Sequence, residues 1–259
     1  MTTLLHALLY SMIYTWFAVC EACARTMDVL RHWSWRHDAI PRVDGFDIPQ
    51  HLAVVFSWPT EVLKGDALAS VNAAARDVLR LAQWSALAGI AELTVYDKEG
   101  LLARIFADRS RRSADMDGWA TMEVHMGRAM TGTGWFEHPV ARPPSYQGPA
   151  RQSLVRVNLL SAADDKPALV DALRNTGAWE PSAISHTLSR TGPMSCDPGI
   201  LMVCGDKAPA PCLHGFPAWS LRITTVGSLP SWAYLQRWTP AHFLDTLRLY
   251  AATEQRHGA

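Results

Sequence analysis

HLAVVF, residues 51–56, opens the stretch that decides the fold: HLAVVFSWPTEVLKGDALASVNAAARDVLRLAQWSALAGIAELTVY, residues 51–96. His51 to Phe56 is a short apolar run with β-branched residues, the pattern of a strand buried on both faces of a parallel sheet. Asp66 stands where a helix cap is needed, and Val71, Ala75, Val78 and Ala82 then recur at helical spacing until Gly89 supplies a stop. Glu92 to Tyr96, ELTVY, reads as a second strand. Strand, helix and strand make a βαβ unit, which favours a parallel sheet with a right-handed crossover.

The alternation continues toward the C-terminus. Leu154 to Leu159 reads as a strand, and Ser161 to Asn175 as a helix with a polar start that ends at Gly177. Asp197-Pro198 precedes Ile200 to Val203, a further buried strand, and Ser220 to Val226 is another β-rich run. Thr239 and Pro240 supply the cap and first-turn proline of a last helix, with Phe243, Leu247 and Tyr250 on one face. Residues 108–150 are rich in Arg, Asp, Gly and Pro and read as a long loop or insertion. Gly132-Thr-Gly134 lies inside it without the strand and helix that a nucleotide-binding turn requires. The expected fold is α/β, an open and mainly parallel sheet flanked by helices.

With 259 residues, 49% of them hydrophobic, the chain suffices for one such domain and a short accessory segment. Its 24 basic and 24 acidic residues cancel, which removes the field that would draw it to nucleic acid. Five cysteines, an odd number, do not make a secreted disulfide framework and fit a reducing environment. The Cys20 and Cys23 pair follows an apolar run and not a strand, which argues against thioredoxin chemistry. Cys196, Cys204 and Cys212 before His214 match no zinc spacing, so no metal site is expected there. His51 reads as a residue that leads a strand, and no G-x-S-x-G elbow suggests a hydrolase.

Leu4 to Cys20, LLHALLYSMIYTWFAVC, has no formally charged residue and is just long enough to span a bilayer as a helix. The basic start of a signal peptide is missing, so an uncleaved anchor is expected. Arg25, Arg31, Arg36 and Arg42 follow, with Trp33 and Trp35 among them as interfacial aromatics, which places the rest of the chain in the cytosol. An amphipathic or buried helix interrupted by His6 and Glu21 is the competing reading. Residues 1–24 are thus read as a transmembrane anchor, 25–50 as a juxtamembrane linker, and 51–259 as the α/β domain.

From His51 to the C-terminus, with the insertion left out, the order of segments resembles the cis-prenyltransferase family, and within it the Nogo-B-receptor-type accessory subunits. HLAVVF resembles the first strand of that family, GIAELTVYDKEG its second strand and turn, and LLSAADDKPALVDAL its middle strand and helix. DPGILMVCG, LHGFPAWSLRITTVGSLPS and YAATEQRHG follow in the family's order, the last matching an R-x-G tail. The departures fall at sites of chemistry. Where active members carry a magnesium-binding aspartate after the first strand, this chain has Ser57, which is no anionic ligand. The diphosphate-clamping arginine of the family falls near Val203-Cys204-Gly205, and a further acidic position near Thr224-Thr225, and neither residue type is present.

The resemblance therefore implies the non-catalytic subunit of a heteromeric dehydrodolichyl diphosphate synthase, inactive alone and anchored in the endoplasmic reticulum membrane. Its catalytic partner would hold Mg2+ and extend farnesyl diphosphate with isopentenyl diphosphate for dolichol and protein glycosylation. Arg256 and Gly258 would complete the partner's active site in trans, with Arg256, His257 and Gly258 contacting diphosphate. Phe216, Trp219, Leu229, Trp232, Phe243 and Leu247 are the candidate interface residues, and most of them suit the core equally well. Two alternatives remain, an active single-subunit enzyme and a membrane-tethered scaffold or receptor without catalytic contribution.

Overall fold

The computed structural model describes residues 12, 15–16, 47–58, 67–110, 120–128, 135–140, 155–176, 179–204, 212–222, 224–229 and 238–253. Its first unit is β1 (His51–Phe56), α1 (Ala67–Ala88) and β2 (Glu92–Asp97), with the strands parallel and His51 opposite Glu92. Every residue of both strands is buried, as expected of strands covered on two faces. Gly89 ends α1 in the left-handed region, φ 87°, and its N–H donates to the Ser85 carbonyl at 2.9 Å.

The chain continues through α2 (Leu101–Ser110), β3 (Ala120–Met126), β4 (Trp135–Val140), β5 (Val155–Leu160), α3 (Lys166–Thr176), α4 (Pro181–Thr191), β6 (Ile200–Cys204), β7 (Thr225–Leu229) and α5 (Pro240–Ala252). They form a seven-stranded sheet in the order β4-β3-β5-β2-β1-β6-β7, all parallel except β4, which runs antiparallel to β3 at one edge. The first crossovers run from β1 toward β2 and outward, whereas β5 to β6 and β6 to β7 run the other way. Because parallel crossovers share one hand, reversing their direction puts the connections on opposite faces.

The packing follows that rule. On one face Leu52, Val54 and Phe56 meet α1, α2 and α5 through Val78, Leu81, Phe106, Phe243 and Leu247. On the other, Ala53, Val55, Tyr96, Leu160, Leu201 and Val203 pack with Phe216 from the connection between β6 and β7. Phe243 is fully buried 5.7 Å from Trp84, and such a side chain contributes about 2–3 kcal/mol by leaving water. Thr239 caps α5 with a reciprocal capping box to His242.

Three expectations are revised. The stretch read as a long loop contains the end of α2 and two strands. In β3 Met122 and Val124 alternate with Glu123 and His125, and Pro139 is tolerated because β4 lies at the edge. The β-rich run read at 220–226 is β7 at Thr225–Leu229 instead. α4 was not expected, because its exposed face is rich in Ser, Thr and His. Apart from the helical Met12, Thr15 and Trp16, the expected anchor at 4–20 lies outside the described residues, as does most of the linker. Among the described residues no helix is long and apolar enough to cross a membrane.

Candidate functional site

Open α/β sheets bind ligands beyond the carboxyl ends of their strands, where the strand order reverses. Here that point lies between β1 and β6. Ser57 is the first residue past β1, and its N–H donates to the Cys204 carbonyl at the end of β6, 3.0 Å away. Trp58 stacks on Phe56 with ring centroids 5.9 Å apart, and its Nε1 donates to Asp97 Oδ1 at 3.2 Å. Asp97 ends β2 and is buried. Its Oδ1 also accepts from Leu101 N–H at 3.1 Å and its Oδ2 from Leu102 N–H at 2.8 Å, so this carboxylate caps α2.

Magnesium requires several oxygen ligands, anionic ones among them. Ser57 offers a neutral hydroxyl, Val203 nothing, and Cys204 a buried thiol whose pKa burial pushes far up. Asp97 is occupied as a cap. The described residues of this crevice therefore do not fit Mg2+. The structure brings Ser57, Val203 and Cys204 together but leaves Thr225 apart. Thr225 pairs with Ile200 at the amino end of β6, while Leu229 stands opposite Cys204, roughly 13 Å further along the strand.

Arg256, His257 and Gly258 lie outside the described residues, but the helix that leads to them does not. α5 ends at Ala252, and Tyr250 packs where a Cβ on Gly199 would stand 3.1 Å from its ring and 3.3 Å from Pro49. Gly199 and Pro49 flank the amino ends of β6 and β1. The chain thus leaves α5 at the end of the sheet opposite the Ser57 crevice.

At this amino end lies a buried polar cluster. β1, β2 and β5 turn His51, Glu92, Thr94 and Asn158 to one face. Asn158 Nδ2 donates to Glu92 Oε1 at 2.5 Å and to Thr94 Oγ1 at 3.1 Å, and His51 Nε2 lies 2.7 Å from Thr94 Oγ1. From the loop before β6, Ser195 N–H donates to Glu92 Oε1 at 2.9 Å and its hydroxyl donates to Oε2. Cys196 Sγ lies 3.5 Å from Oε2 and 3.7 Å from His51 Nδ1, and the Cys196 carbonyl is 2.8 Å from Nδ1.

Burial disfavours a charged imidazole, so the His51 pKa is lowered although Glu92 and the Cys196 carbonyl oppose this. Burial pushes Glu92 up, but His51 and the hydrogen bonds from Ser195 and Asn158 outweigh it and hold Glu92 below its usual range. Burial and the Glu92 charge raise the Cys196 thiol to about 11. A cavity of about 260 Å3 runs from Ser195 and Cys196 beside the cluster, past Leu188 and Trp219, to Gly127 and Asp164 beyond the carboxyl ends of β3 and β5. The sequence reading passed over this cluster. Cys196 follows His51 by 145 residues and Glu92 by 104, so no local spacing links them. The one available cue was a titratable residue leading each of two apolar strands.

The expected interface residues are largely core. Phe216, Leu229, Phe243 and Leu247 are buried within this chain, where their apolar surface is already used. Trp219 is half-buried, with Nε1 donating to Ser185 Oγ at 3.0 Å, and Trp232 lies outside the described residues. The exposed large apolar side chains of the described domain are Val170, Trp179, Val226 and Leu249.

No protein-family model matches the sequence, and no curated protein matches it. Among solved structures, lavandulyl diphosphate synthase from Lavandula x intermedia, in complex with dimethylallyl diphosphate, is similar with a TM-score of 0.54 and 14% identity, over 80% of this chain and 97% of that one. A probable undecaprenyl diphosphate synthase from Campylobacter jejuni aligns over 82% of this chain and 100% of its own, at 9% identity and a TM-score of 0.48. The fold is thus the cis-prenyltransferase-like α/β fold.

Proposed function

We propose that this chain is the membrane-anchored, non-catalytic subunit of a heteromeric cis-prenyltransferase, the dehydrodolichyl diphosphate synthase type, and that it works only beside a catalytic partner. The observation that carries the reading is Ser57. It occupies the switch point of a fold shared with a diphosphate-binding synthase, and the described residues of the crevice around it do not fit magnesium. Turnover would then belong to the partner, which holds Mg2+ and condenses isopentenyl diphosphate onto an allylic diphosphate.

This chain contributes Arg256 and Gly258. Three residues carry the Arg256 backbone at most about 11 Å beyond Thr253, whereas β6 alone separates the two ends of the sheet by roughly 13 Å. The exit of α5 at the end away from the crevice supports a tail that serves a neighbouring subunit. There an arginine fork would stabilise diphosphate charge, and Gly258 would let a backbone N–H approach phosphate without a side chain in the way. Met12 and Trp16, exposed apolar side chains four residues apart on a helix, support a membrane-facing N-terminal segment, with the domain on the cytosolic face of the endoplasmic reticulum.

The test is isopentenyl diphosphate incorporation, with magnesium, by this chain alone, by a catalytic cis-prenyltransferase subunit alone, and by the two mixed. Activity confined to the mixture, or strongly raised in it, is expected. Turnover by this chain alone would make it a single-subunit enzyme, and no gain on mixing would make it a scaffold.

A further inference from the structure

We propose that His51, Glu92 and Cys196 form a zinc-binding site that ties β1 and β2 to the loop before β6, with its fourth position open to the adjoining cavity. It lies at the opposite end of the sheet from Ser57 and does not depend on any prenyl chemistry.

The geometry is close to what the ion requires. Zinc bonds of about 2.3 Å to sulfur and about 2.0–2.1 Å to nitrogen or oxygen set the edges of a tetrahedron from sulfur at about 3.5 Å. Cys196 Sγ stands 3.7 Å from His51 Nδ1 and 3.5 Å from Glu92 Oε2. All three donor atoms lie within 4.8 Å of one another, so closing the nitrogen-to-oxygen edge needs only a side-chain adjustment. One nitrogen, one oxygen and one sulfur donor suit zinc and exclude magnesium or calcium, which avoid sulfur.

The surrounding groups are placed as supports for such a site. His51 Nε2 contacts Thr94 Oγ1, a hydroxyl able to donate or accept, so the ring can carry its proton on Nε2 and free Nδ1 for the metal. Asn158 Nδ2 and Ser195 N–H both donate to Glu92 Oε1, while Oε2 accepts from the Ser195 hydroxyl and also faces Cys196, a carboxylate oxygen having lone pairs for both. His51 and Glu92 are buried while Cys196 and the cavity give entry. On binding, the Cys196 thiol proton leaves to solvent, the His51 proton moves from Nδ1 to Nε2, and the Cys196 carbonyl turns to water. One proton is released per ion. Zinc, thiolate and carboxylate then sum to zero, which removes the cost of a net charge in a buried place.

The experiment titrates the metal-stripped full chain with zinc alone, against a chromogenic chelator, and repeats the titration with cobalt. One equivalent of zinc should bind with release of one proton and a rise in Tm. The cobalt form should show a thiolate-to-cobalt charge-transfer band. Cys196→Ser, which keeps a hydrogen-bonding group of similar size, should lose the band and weaken zinc roughly tenfold or more, and His51→Gln should weaken it likewise. A metal-free melt of Cys196→Ser separates lost binding from lost folding. Failure to take up one equivalent, or a band and affinity unchanged in a folded Cys196→Ser, would overturn the site and leave only adventitious binding elsewhere.

Discussion

At the scale of the residue, the most consequential positions are those where a polar side chain is buried and fully engaged. His51 is held neutral by burial, so the unfolded chain takes up a proton that the folded one resists. With the folded pKa below 6.5, its stabilising contribution is present above that value and is lost as pH falls through the window below it. Folding free energy, read by denaturant titration in metal-free buffer, should decline from pH 7 toward pH 5 with a slope of up to about 1.4 kcal/mol per pH unit from this one group. His125, lowered by burial and Arg156, adds in the same direction, so His51→Gln should reduce the slope without abolishing it. An identical slope in the variant would remove His51 from the account. Glu92 is depressed from 4.5, so its loss comes at lower pH and does not confuse the window. Ser57 makes a second case. Ser57→Asp introduces one carboxylate into the crevice, but Asp97 stays bound to α2 and Trp58, and residues 203–205 include no arginine. The variant alone should show no isopentenyl diphosphate incorporation above background, and turnover by it would mean that a single ligand separates this crevice from an active one.

At the scale of the element, α5 and the strands under it are the most tightly specified. A Cβ on Gly227 of β7 would meet Leu249 Cδ2 at 2.6 Å and Met202 Sδ at 2.7 Å, so α5 lies against bare backbone there. Gly227→Val should therefore cost about 1–3 kcal/mol through overpacking, whereas Thr239→Ala should cost about 1 kcal/mol by removing the cap. Denaturation midpoints rank the two, and a Gly227→Val chain as stable as the parent would show that α5 shifts freely on the sheet. Legibility followed the same physics. β1, α1, β2 and α5 announced themselves because burial on two faces, helical periodicity and an explicit cap each leave a local trace. β3 and β4 did not. Glu123 and His125 break the apolar run of β3, Pro139 argues against a strand unless the edge is known, and both sit in a polar, glycine-containing context. The cluster of His51, Glu92 and Cys196 was illegible for a different reason, since strand order, and not spacing, brings its members together. Aromatic composition does not sort core from interface. Phe216 and Phe243 suit an interface or a core equally by sequence, and each fills the core on one face of the sheet.

At the scale of the whole molecule, the two ends of the sheet divide the work. The carboxyl end carries the crevice in which this fold would place chemistry, and here the Asp97 carboxylate beside Trp58 is spent on a helix cap. The amino end carries the exit of α5 and the polar cluster. If Arg256 acts from that exit on a second subunit, removing its guanidinium deletes a diphosphate contact there. Arg256→Ala in the mixed enzyme should then lower turnover by about 10²-fold or more, the usual effect of losing one preorganised charge contact. Co-purification and the melting temperature of this chain should be unchanged. The split between kcat and KM tells where the contact is used: a fall in kcat places Arg256 on the charge that develops as pyrophosphate departs, and a rise in KM alone places it on the bound substrate. Full activity in the variant would return the tail to solvent and leave the fold as a docking body for its partner.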